Sequence, residues 1–172
     1  MKKLILTVIA VVTIGVSSNK LFAQAAASGD LLVTMSANPD YEAMAIALRA
    51  ANLGATLKGA GPYTVFAPNT IAFSNISSDK LDALMKDPAA LATVLKGHIV
   101  TGKYDKAAIL AALRATGKAT LKTLDNQTLT LGVNEAKNLI LTDSQGNTVK
   151  VVAFDILGSN GVIIGVDGIL TK

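Results

Sequence analysis

Apolar residues recur at two different periods along the chain, and the change of period divides it into two halves. In the first half, four apolar residues follow the spacing i, i+3, i+4, i+7: Tyr41, Met44, Ala45 and Leu48. That spacing is the period of a helix with one buried face. It predicts a helix over about 40–52, and related patterns predict further helices over 30–37, 78–86, 88–98 and 106–115.

The second half is rich in Val, Leu, Ile and Thr, and these residues alternate with a period of two. Leu129 and Leu131 alternate with threonines, which is typical of a half-buried strand. The pattern predicts strands over 119–123, 128–133, 139–142, 148–154 and 162–170. Helices followed by strands with short hairpin spacings favour an α+β fold over a parallel α/β sheet.

A strand-to-helix junction follows the dipeptide Gly61-Pro62, which itself indicates a turn. Aromatic and β-branched residues predict a buried strand over 63–66. Pro68 has no N–H, so strand pairing is expected to end just before it. A helix is then expected to begin with Asn69 or Thr70 as its cap. Two side chains of that helix are expected to face the core, Ile71 and Phe73.

This junction resembles the first signature block of the fasciclin (FAS1) family, roughly T-V-F-A-P-T-N-x-A-F; residues 64–73 read T-V-F-A-P-N-T-I-A-F. Residues 155–170 resemble the second signature, approximately D-I-x-x-x-N-G-V-I-H-V-I-D-x-V-L, with Ile164 and Gly165 replacing the histidine and the next valine. Residues 95–104 are similar to the segment L-x-Y-H-V-V-x-G-x-Y, with Gly97 at the position of the tyrosine. The three blocks stand in the same order and cover about 30–170.

The resemblance implies an α+β fold in which two β-sheets form a compact, sandwich-like wedge with helices packed around one end. It also implies an extracellular or cell-surface role in adhesion, with matrix, carbohydrate or protein as partner. Adhesive activity in animal members is linked to the Tyr-His neighbourhood and to the Asp-Ile segment. The matching binding residues here are His98, Asp155 and Ile156, although Gly97 removes the tyrosine, and Asp155-Ile156 equally fits an architectural strand start.

The N-terminal residues have the pattern of a signal peptide. Lys2-Lys3 precedes an apolar run over 4–16, and Ala23-Gln24-Ala25 fits a small-residue cleavage site. We therefore predict a signal peptide over 1–25, cleaved after Ala23 or Ala25, and a single domain over 26–172. An uncleaved N-terminal anchor is the alternative. The expected location is the periplasm, the cell surface or the medium.

Charge and cysteine content exclude several classes of function. The chain has 16 basic and 12 acidic residues, but Lys2, Lys3 and Lys20 lie in or close to the targeting segment. Without these three lysines, 13 basic residues stand against 12 acidic ones, so nucleic acid is not an expected partner. The chain has no cysteine, which rules out thiol chemistry and cysteine-based metal sites.

No catalytic, cofactor or metal site is predicted, and the chain is not expected to be an enzyme. His98 is the only histidine, and a catalytic base also needs a nucleophile and an orienting group. A core histidine bonded to the backbone is the expected role, with a ligand or base as the alternative. Asp143 and its neighbours could supply oxygen ligands, but a hairpin turn explains them more simply. Asn160-Gly161 is expected to adopt the positive φ of a tight turn.

The sequence therefore predicts an exported, non-enzymatic binding or adhesion module that recognises matrix, glycan or protein partners. A periplasmic enzyme or small-ligand-binding protein on the same fold is the alternative. Weak self-association of a matrix-structural protein is a third hypothesis. The membrane is a partner only through the signal peptide before cleavage.

Overall fold

A computed structural model describes residues 29–59 and 61–170, so the predicted signal peptide lies outside the described residues. The helices are α1 (Leu31–Ser36), α2 (Glu42–Ala50), α3 (Gly54–Leu57), α4 (Thr70–Ser74), α5 (Ser78–Lys86), α6 (Pro88–Lys96) and α7 (Lys106–Thr116). The strands are β1 (Tyr63–Pro68), β2 (Ile99–Thr101), β3 (Lys118–Lys122), β4 (Thr128–Val133), β5 (Leu139–Thr142), β6 (Thr148–Gly158) and β7 (Gly161–Val166). Within these ranges, no helix combines the length and the apolar character that crossing a bilayer requires.

The strands form one seven-stranded hydrogen-bonded order, β2-β1-β7-β6-β5-β4-β3. Only β1 and β7 run parallel, and the other neighbours are antiparallel. The two ends of this order meet where Val100 bridges Thr123, so the sheet is nearly closed into a barrel. Helices and a mostly antiparallel sheet confirm the α+β class.

Strand β6 belongs to both halves of the sheet. Its residues 148–150 pair with β5, whereas residues 151–158 pair with β7. Two register shifts, between Val151 and Ala153 and between Ala153 and Ile156, bend the strand, as bulges do. Because one bent strand joins the halves, the wedge of two separate sheets that the resemblance implies is not confirmed.

The parallel pair β1–β7 separates two apolar clusters. Val65 and Ile163 face a cluster built with α1, α2 and α6, while Phe66 and Ile164 face a second cluster filled by β3–β6. Successive strand residues point to opposite faces, so a strand covered on both sides must be apolar at every position. This explains why β7 is buried along its whole length.

Most predicted elements are confirmed, with boundary shifts of one to four residues. The strands over 128–133 and 139–142 and the helix over 78–86 have the predicted bounds. All four apolar residues that predict the helix over 40–52 are buried. The short elements α3 and β2 were not predicted, because four and three residues carry too little periodicity to show a pattern.

The prediction for Ile71 is wrong. Phe73 is buried, but Ile71 is 68% exposed. Successive residues of a helix are rotated by about 100°, so two side chains two residues apart point in nearly opposite directions. The cap is Asn69, whose side-chain oxygen accepts a hydrogen bond from the Ala72 N–H at 2.8 Å. Pro68 pairs with Val166 as the last residue of β1, one position beyond the expected end.

Asn160 ties three elements to the start of β7. Its side-chain oxygen accepts from the Leu31 N–H at 3.0 Å, and its amide group donates to the Leu57 carbonyl. Its main-chain carbonyl accepts from the Tyr63 N–H at 3.0 Å. One side chain and one carbonyl therefore join α1, α3 and β1 to the β6–β7 hairpin.

The predicted positive φ at Asn160-Gly161 is wrong, because neither residue adopts it. Glycine is required at 161 for a different reason. A Cβ atom there would lie 2.0 Å from the Tyr63 carbonyl oxygen, since β1 and β7 approach closely at this point. Gly165 has a similar role: a Cβ would lie 2.0 Å from the Tyr41 hydroxyl, so the departure from the family's valine makes room for that ring.

We expect Asn160→Ala to lower the free energy of unfolding by about 2–4 kcal/mol, because the Leu31 N–H and the Leu57 carbonyl both lose their partner. Urea denaturation followed by circular dichroism measures the change. The exposed Asn138→Ala is the matched control and should change stability by less than about 0.5 kcal/mol. Equal effects of the two substitutions would contradict the role assigned to Asn160.

Candidate binding surface

The structure does not bring the three predicted site residues together on one surface. His98 is fully buried, Asp155 is exposed, and Ile156 is half-buried against the helical cluster. Among the described residues, no hydrogen bond joins His98 to Asp155. Each residue is therefore considered in its own surroundings.

His98 joins the end of α6 to the C-terminal segment. Its Nδ1 lies 3.0 Å from the Val94 carbonyl oxygen, and its Nε2 accepts from the Leu170 N–H at 3.1 Å. An N–H can only donate, so Nε2 carries no proton, and we assign the proton of a neutral ring to Nδ1. Burial lowers the pKa of His98, although the Val94 hydrogen bond and the charges of Asp125 and Asp143 oppose that shift.

Both ring nitrogens of His98 are thus engaged by main-chain groups, and its side chain has 0% exposure. This is the core histidine bonded to the backbone that the sequence predicts. A general base must reach a substrate proton within hydrogen-bond distance. The environment of His98 provides no such access.

Asp155 occupies the second bulge of β6 and has φ 56, a left-handed conformation that few residues other than glycine adopt. Its Oδ1 accepts from the Lys106 N–H at 2.8 Å, and Asp105 accepts from the Ala108 N–H at 2.9 Å. Two carboxylates therefore satisfy free N–H groups in the first turn of α7, where negative charge is favourable. The bulge thereby positions α7 against the sheet.

An exposed corner surrounds this bulge and combines charged and aromatic groups. We call it the bulge corner and define it by Tyr104, Lys106, Phe154 and Asp155. The Lys106 ammonium lies 5.7 Å from the centre of the Phe154 ring, within the range of a cation–π interaction. Tyr104 and Phe154 are half-buried against the second apolar cluster. Both aromatic residues are therefore partly packed against the interior and partly accessible to solvent.

The loop that leads into the bulge corner is held by Thr64. This buried hydroxyl donates to the Gly102 carbonyl at 2.7 Å and accepts from the Tyr104 N–H at 2.9 Å. A buried side chain of the central strand β1 thus positions Tyr104. The main chain of Tyr104 is thus hydrogen-bonded to a side chain that is fully buried in the sheet.

An apolar groove of about 440 Å³ lies next to the bulge corner, between α7 and β3. We call it the α7–β3 groove. It shares Tyr104 with the corner, and its remaining lining comes from one face of α7 and from β3: Ala108, Ile109, Ala112, Thr116, Lys118, Ala119, Thr120 and Leu121. The sequence analysis did not identify this groove. The sequence feature that could have indicated the groove is the set of small residues on α7, which is followed directly by a strand with lysines.

Asp143 organises a turn between β5 and β6, as the sequence predicts. Its carboxylate accepts from the Gln145 and Asn147 N–H groups, each at 2.9 Å, and from the Asn147 side chain at 2.8 Å. Partial desolvation raises the pKa of Asp143, but these hydrogen bonds outweigh it and the net pKa is lowered. Within residues 29–59 and 61–170, no three His, Cys, Asp or Glu side chains form a metal-ligand group.

His98 should make stability depend on pH in a defined window. The folded state holds the ring neutral, whereas the unfolded chain binds a proton near pH 6.5. The contribution of His98 to the free energy of unfolding is therefore fully present above about pH 7.5. Below pH 6.5 it falls by up to about 1.4 kcal/mol per pH unit, until the pH reaches the lowered pKa. Urea denaturation between pH 8 and pH 5 measures this slope.

His98→Gln is the matched variant, because its side chain cannot titrate. We expect it to be less stable at pH 8 and to lack most of the loss between pH 7 and pH 5.5. An unchanged pH slope in the variant would show that another group is responsible. Asp143 does not affect this measurement. Its pKa is lowered, so its contribution to the free energy of unfolding is lost only at more acidic pH.

Two relatives have similar sequences. The chain is 32% identical over 131 residues to the transforming growth factor-beta-induced protein ig-h3 of Sus scrofa, covering 76% of this chain but only 17% of that protein. It is 30% identical over 135 residues to protein sll1483 of Synechocystis sp., covering 77% of this chain and 68% of that protein.

The fold has a counterpart among solved structures. A FAS1 domain pair from the insect cell adhesion molecule Fasciclin I superposes with a TM-score of 0.68, covering 85% of this chain and 52% of that one. Its 16% sequence identity shows a shared fold alone. The sequence profile of the fasciclin domain matches residues 39–172, from the helical first half to the end of the chain. The chain therefore belongs to the fasciclin domain family.

Proposed function

We propose that this chain is an exported, non-enzymatic binding module of the adhesion type. Its partners are matrix, glycan or protein, met in the periplasm, at the cell surface or outside the cell. The observation that carries this proposal is the bulge corner, an exposed aromatic and charged surface that the central strands hold in place. Aromatic and charged side chains with fixed geometry are typical of binding surfaces.

The role of Asp155 in this proposal is to position the corner. Its carboxylate is engaged by the Lys106 N–H, and its two chain neighbours pack in different places: Phe154 against the second apolar cluster and Ile156 against the helical cluster. Ile156 packs into the helical cluster, so the corner is anchored through it. Direct contact with a partner is then made by the exposed part of Lys106 and the accessible edges of Phe154 and Tyr104.

Three further observations support the proposal. The N-terminal pattern of two lysines, an apolar run and small residues is typical of exported proteins. The fold is shared with a FAS1 domain pair of an insect cell adhesion molecule, which supports a role in adhesion. The engaged ring nitrogens of His98 favour a binding role over catalysis.

A small-ligand-binding protein is the second candidate, and the α7–β3 groove favours it. A volume of about 440 Å³ and a mainly apolar lining match the usual size and character of small-ligand sites. Native mass spectrometry of the exported protein from its own cells distinguishes this candidate. A bound small molecule of constant mass would support it, whereas an empty chain would leave the adhesion proposal as the better one.

Adhesion is tested by measuring the binding of the exported protein to arrays of glycans and extracellular matrix proteins. We expect at least one class of partner to bind the protein. Lys106→Ala should weaken that binding about fivefold, or about 1 kcal/mol, because it removes the ammonium beside the Phe154 ring. Lys86→Ala, at the exposed end of α5, is the matched control and should bind normally.

If the protein binds no glycan and no matrix protein of the arrays, the adhesion proposal is overturned. Binding that Lys106→Ala and Lys86→Ala weaken equally would retain the adhesive role and move the contact away from the bulge corner. The main-chain N–H of residue 106 is kept in the alanine variant, so the hydrogen bond to Asp155 and the position of α7 should persist.

A further inference from the structure

Strand β3 is the end of the strand order, and the bridge from Val100 of β2 reaches only Thr123, just beyond its last residue. Before that point the outer edge of β3 borders the α7–β3 groove. Four consecutive residues of β3, Lys118–Leu121, line the groove. Side chains of consecutive strand residues point to opposite faces, so one face of the strand would contribute only alternate residues. The groove therefore borders the main-chain edge of β3 itself.

The register of β3 against β4 shows which main-chain groups face outward. At the end of this hairpin the Thr123 N–H donates to the Gln127 carbonyl at 3.0 Å, which identifies a hydrogen-bonded pair. Hydrogen-bonded and non-hydrogen-bonded pairs alternate along an antiparallel ladder. Leu121 and Ala119 are therefore the residues that bond to β4.

The residues between them, Lys118, Thr120 and Lys122, direct their N–H and C=O groups away from β4. The Lys118 carbonyl supports this assignment, because it accepts from the Thr116 hydroxyl at 2.5 Å on the α7 side. Thr120 consequently presents a main-chain donor and a main-chain acceptor toward the groove. A donor and an acceptor on one strand residue are the groups that an additional antiparallel strand uses.

The opposite wall of the groove consists of small side chains. Ala108, Ala112 and Thr116 follow one another at one-turn intervals on α7, with Ile109 and Leu121 buried beneath. Small residues at this spacing leave room along the helix for an aliphatic side chain from an approaching segment. The groove therefore combines the main-chain edge of β3 with an apolar space along Ala108, Ala112 and Thr116, which we call the apolar slot.

The charge along β3 is positive, while Asp105 and Asp155 lie at the far end of the groove, at the first turn of α7. The segment 106–122 contains four basic residues and no acidic residue: Lys106, Arg114, Lys118 and Lys122. Lys118 and Lys122 are exposed on β3 and flank Thr120 on the same strand face. Lysines on an edge strand oppose pairing with an identical edge, because like charges would meet across the ladder. The same lysines favour an acidic segment.

We propose that the edge of β3 and the α7–β3 groove accept an extended segment of a partner protein, in which acidic and aliphatic residues alternate, as an additional strand. The Thr120 N–H and C=O form the main-chain bonds, Lys118 and Lys122 pair with the acidic side chains, and an aliphatic side chain enters the apolar slot. This mode is known as strand addition. The inference rests on the proposed binding function and specifies one class of partner for it.

A synthetic peptide with the sequence Glu-Val-Glu-Val-Glu, blocked at both termini, is the probe, and Lys-Val-Lys-Val-Lys is the charge control. Binding to the exported protein is followed by amide chemical shifts in nuclear magnetic resonance. We expect saturable shifts at Thr120 and at Ala108 and Ala112, with at least tenfold weaker binding of the lysine peptide. The Thr120 amide should also exchange more slowly when the acidic peptide is bound.

Thr120→Pro is the decisive variant, with Thr120→Ala as its matched control. Proline removes the outward N–H, and because that N–H is not used by β4 the β3–β4 ladder stays intact. We expect Thr120→Pro to bind the acidic peptide at least tenfold more weakly and Thr120→Ala to bind it as the unmodified protein does. Circular dichroism and the urea midpoint verify that each variant is folded.

A charge variant keeps the test valid if Thr120→Pro does not fold. The double variant Lys118→Glu, Lys122→Glu should reverse the peptide preference, whereas Lys58→Glu, Lys86→Glu makes the same charge change elsewhere and should not. Failure of the acidic peptide to bind the unmodified protein, or equal binding by Thr120→Pro or by the charge variant, would overturn the inference. If a partner found with the arrays binds Thr120→Pro normally, the inference of strand addition is overturned but the proposed function is not. If the arrays yield no partner, the proposed function is overturned.

Discussion

The close approach of β7 to β1 is the constraint on which the rest of the structure depends. These two strands are the only parallel pair among the described residues, and they come from segments almost a hundred positions apart. Gly161 permits the approach because any side chain at this position would meet the Tyr63 carbonyl. Asn160 then fixes the register by joining the start of β7 to β1, α1 and α3. With this pair in place, each face of the two strands has an apolar cluster to cover it.

The candidate binding surface is a consequence of the same arrangement. Strand β6 must pair with β7 on one side and with β5 on the other, and its bulges allow it to turn between them. One bulge places Asp155 at the first turn of α7, while Thr64 of β1 holds the loop before that helix. The position of α7 then creates both the bulge corner and the groove beside β3. The side chains of this surface are therefore held by hydrogen bonds that the side chains of Thr64 and Asp155 make to the main chain.

Particular residues show how far sequence reasoning reaches. The helix over α2 was predictable because its buried face repeats at the helical period, and β4 was predictable because leucine and threonine alternate. The burial of His98 was also predictable, from the apolar residues one and two turns before it. Ile71 was mispredicted because apolar character alone does not set the rotation of a one-turn helix, which the Asn69 cap and the packing of Phe73 decide. The groove was missed although the small residues of α7 are visible in the sequence, because a groove is defined by the separation of its two walls in space.

By itself, the sequence determined the family, the α+β class and the location of most elements, since these follow from local periodicity, turn residues and three signature blocks. Only the tertiary structure decided the strand order, the single parallel pair and the near closure of the sheet at Val100 and Thr123. It also decided that Gly161 serves a close approach, that Asp155 caps a helix, and that the Thr120 edge faces a groove. The physical reason is that period and propensity act between neighbours in the chain. Close approach, capping across elements and free strand edges depend on contacts between residues that are distant in sequence.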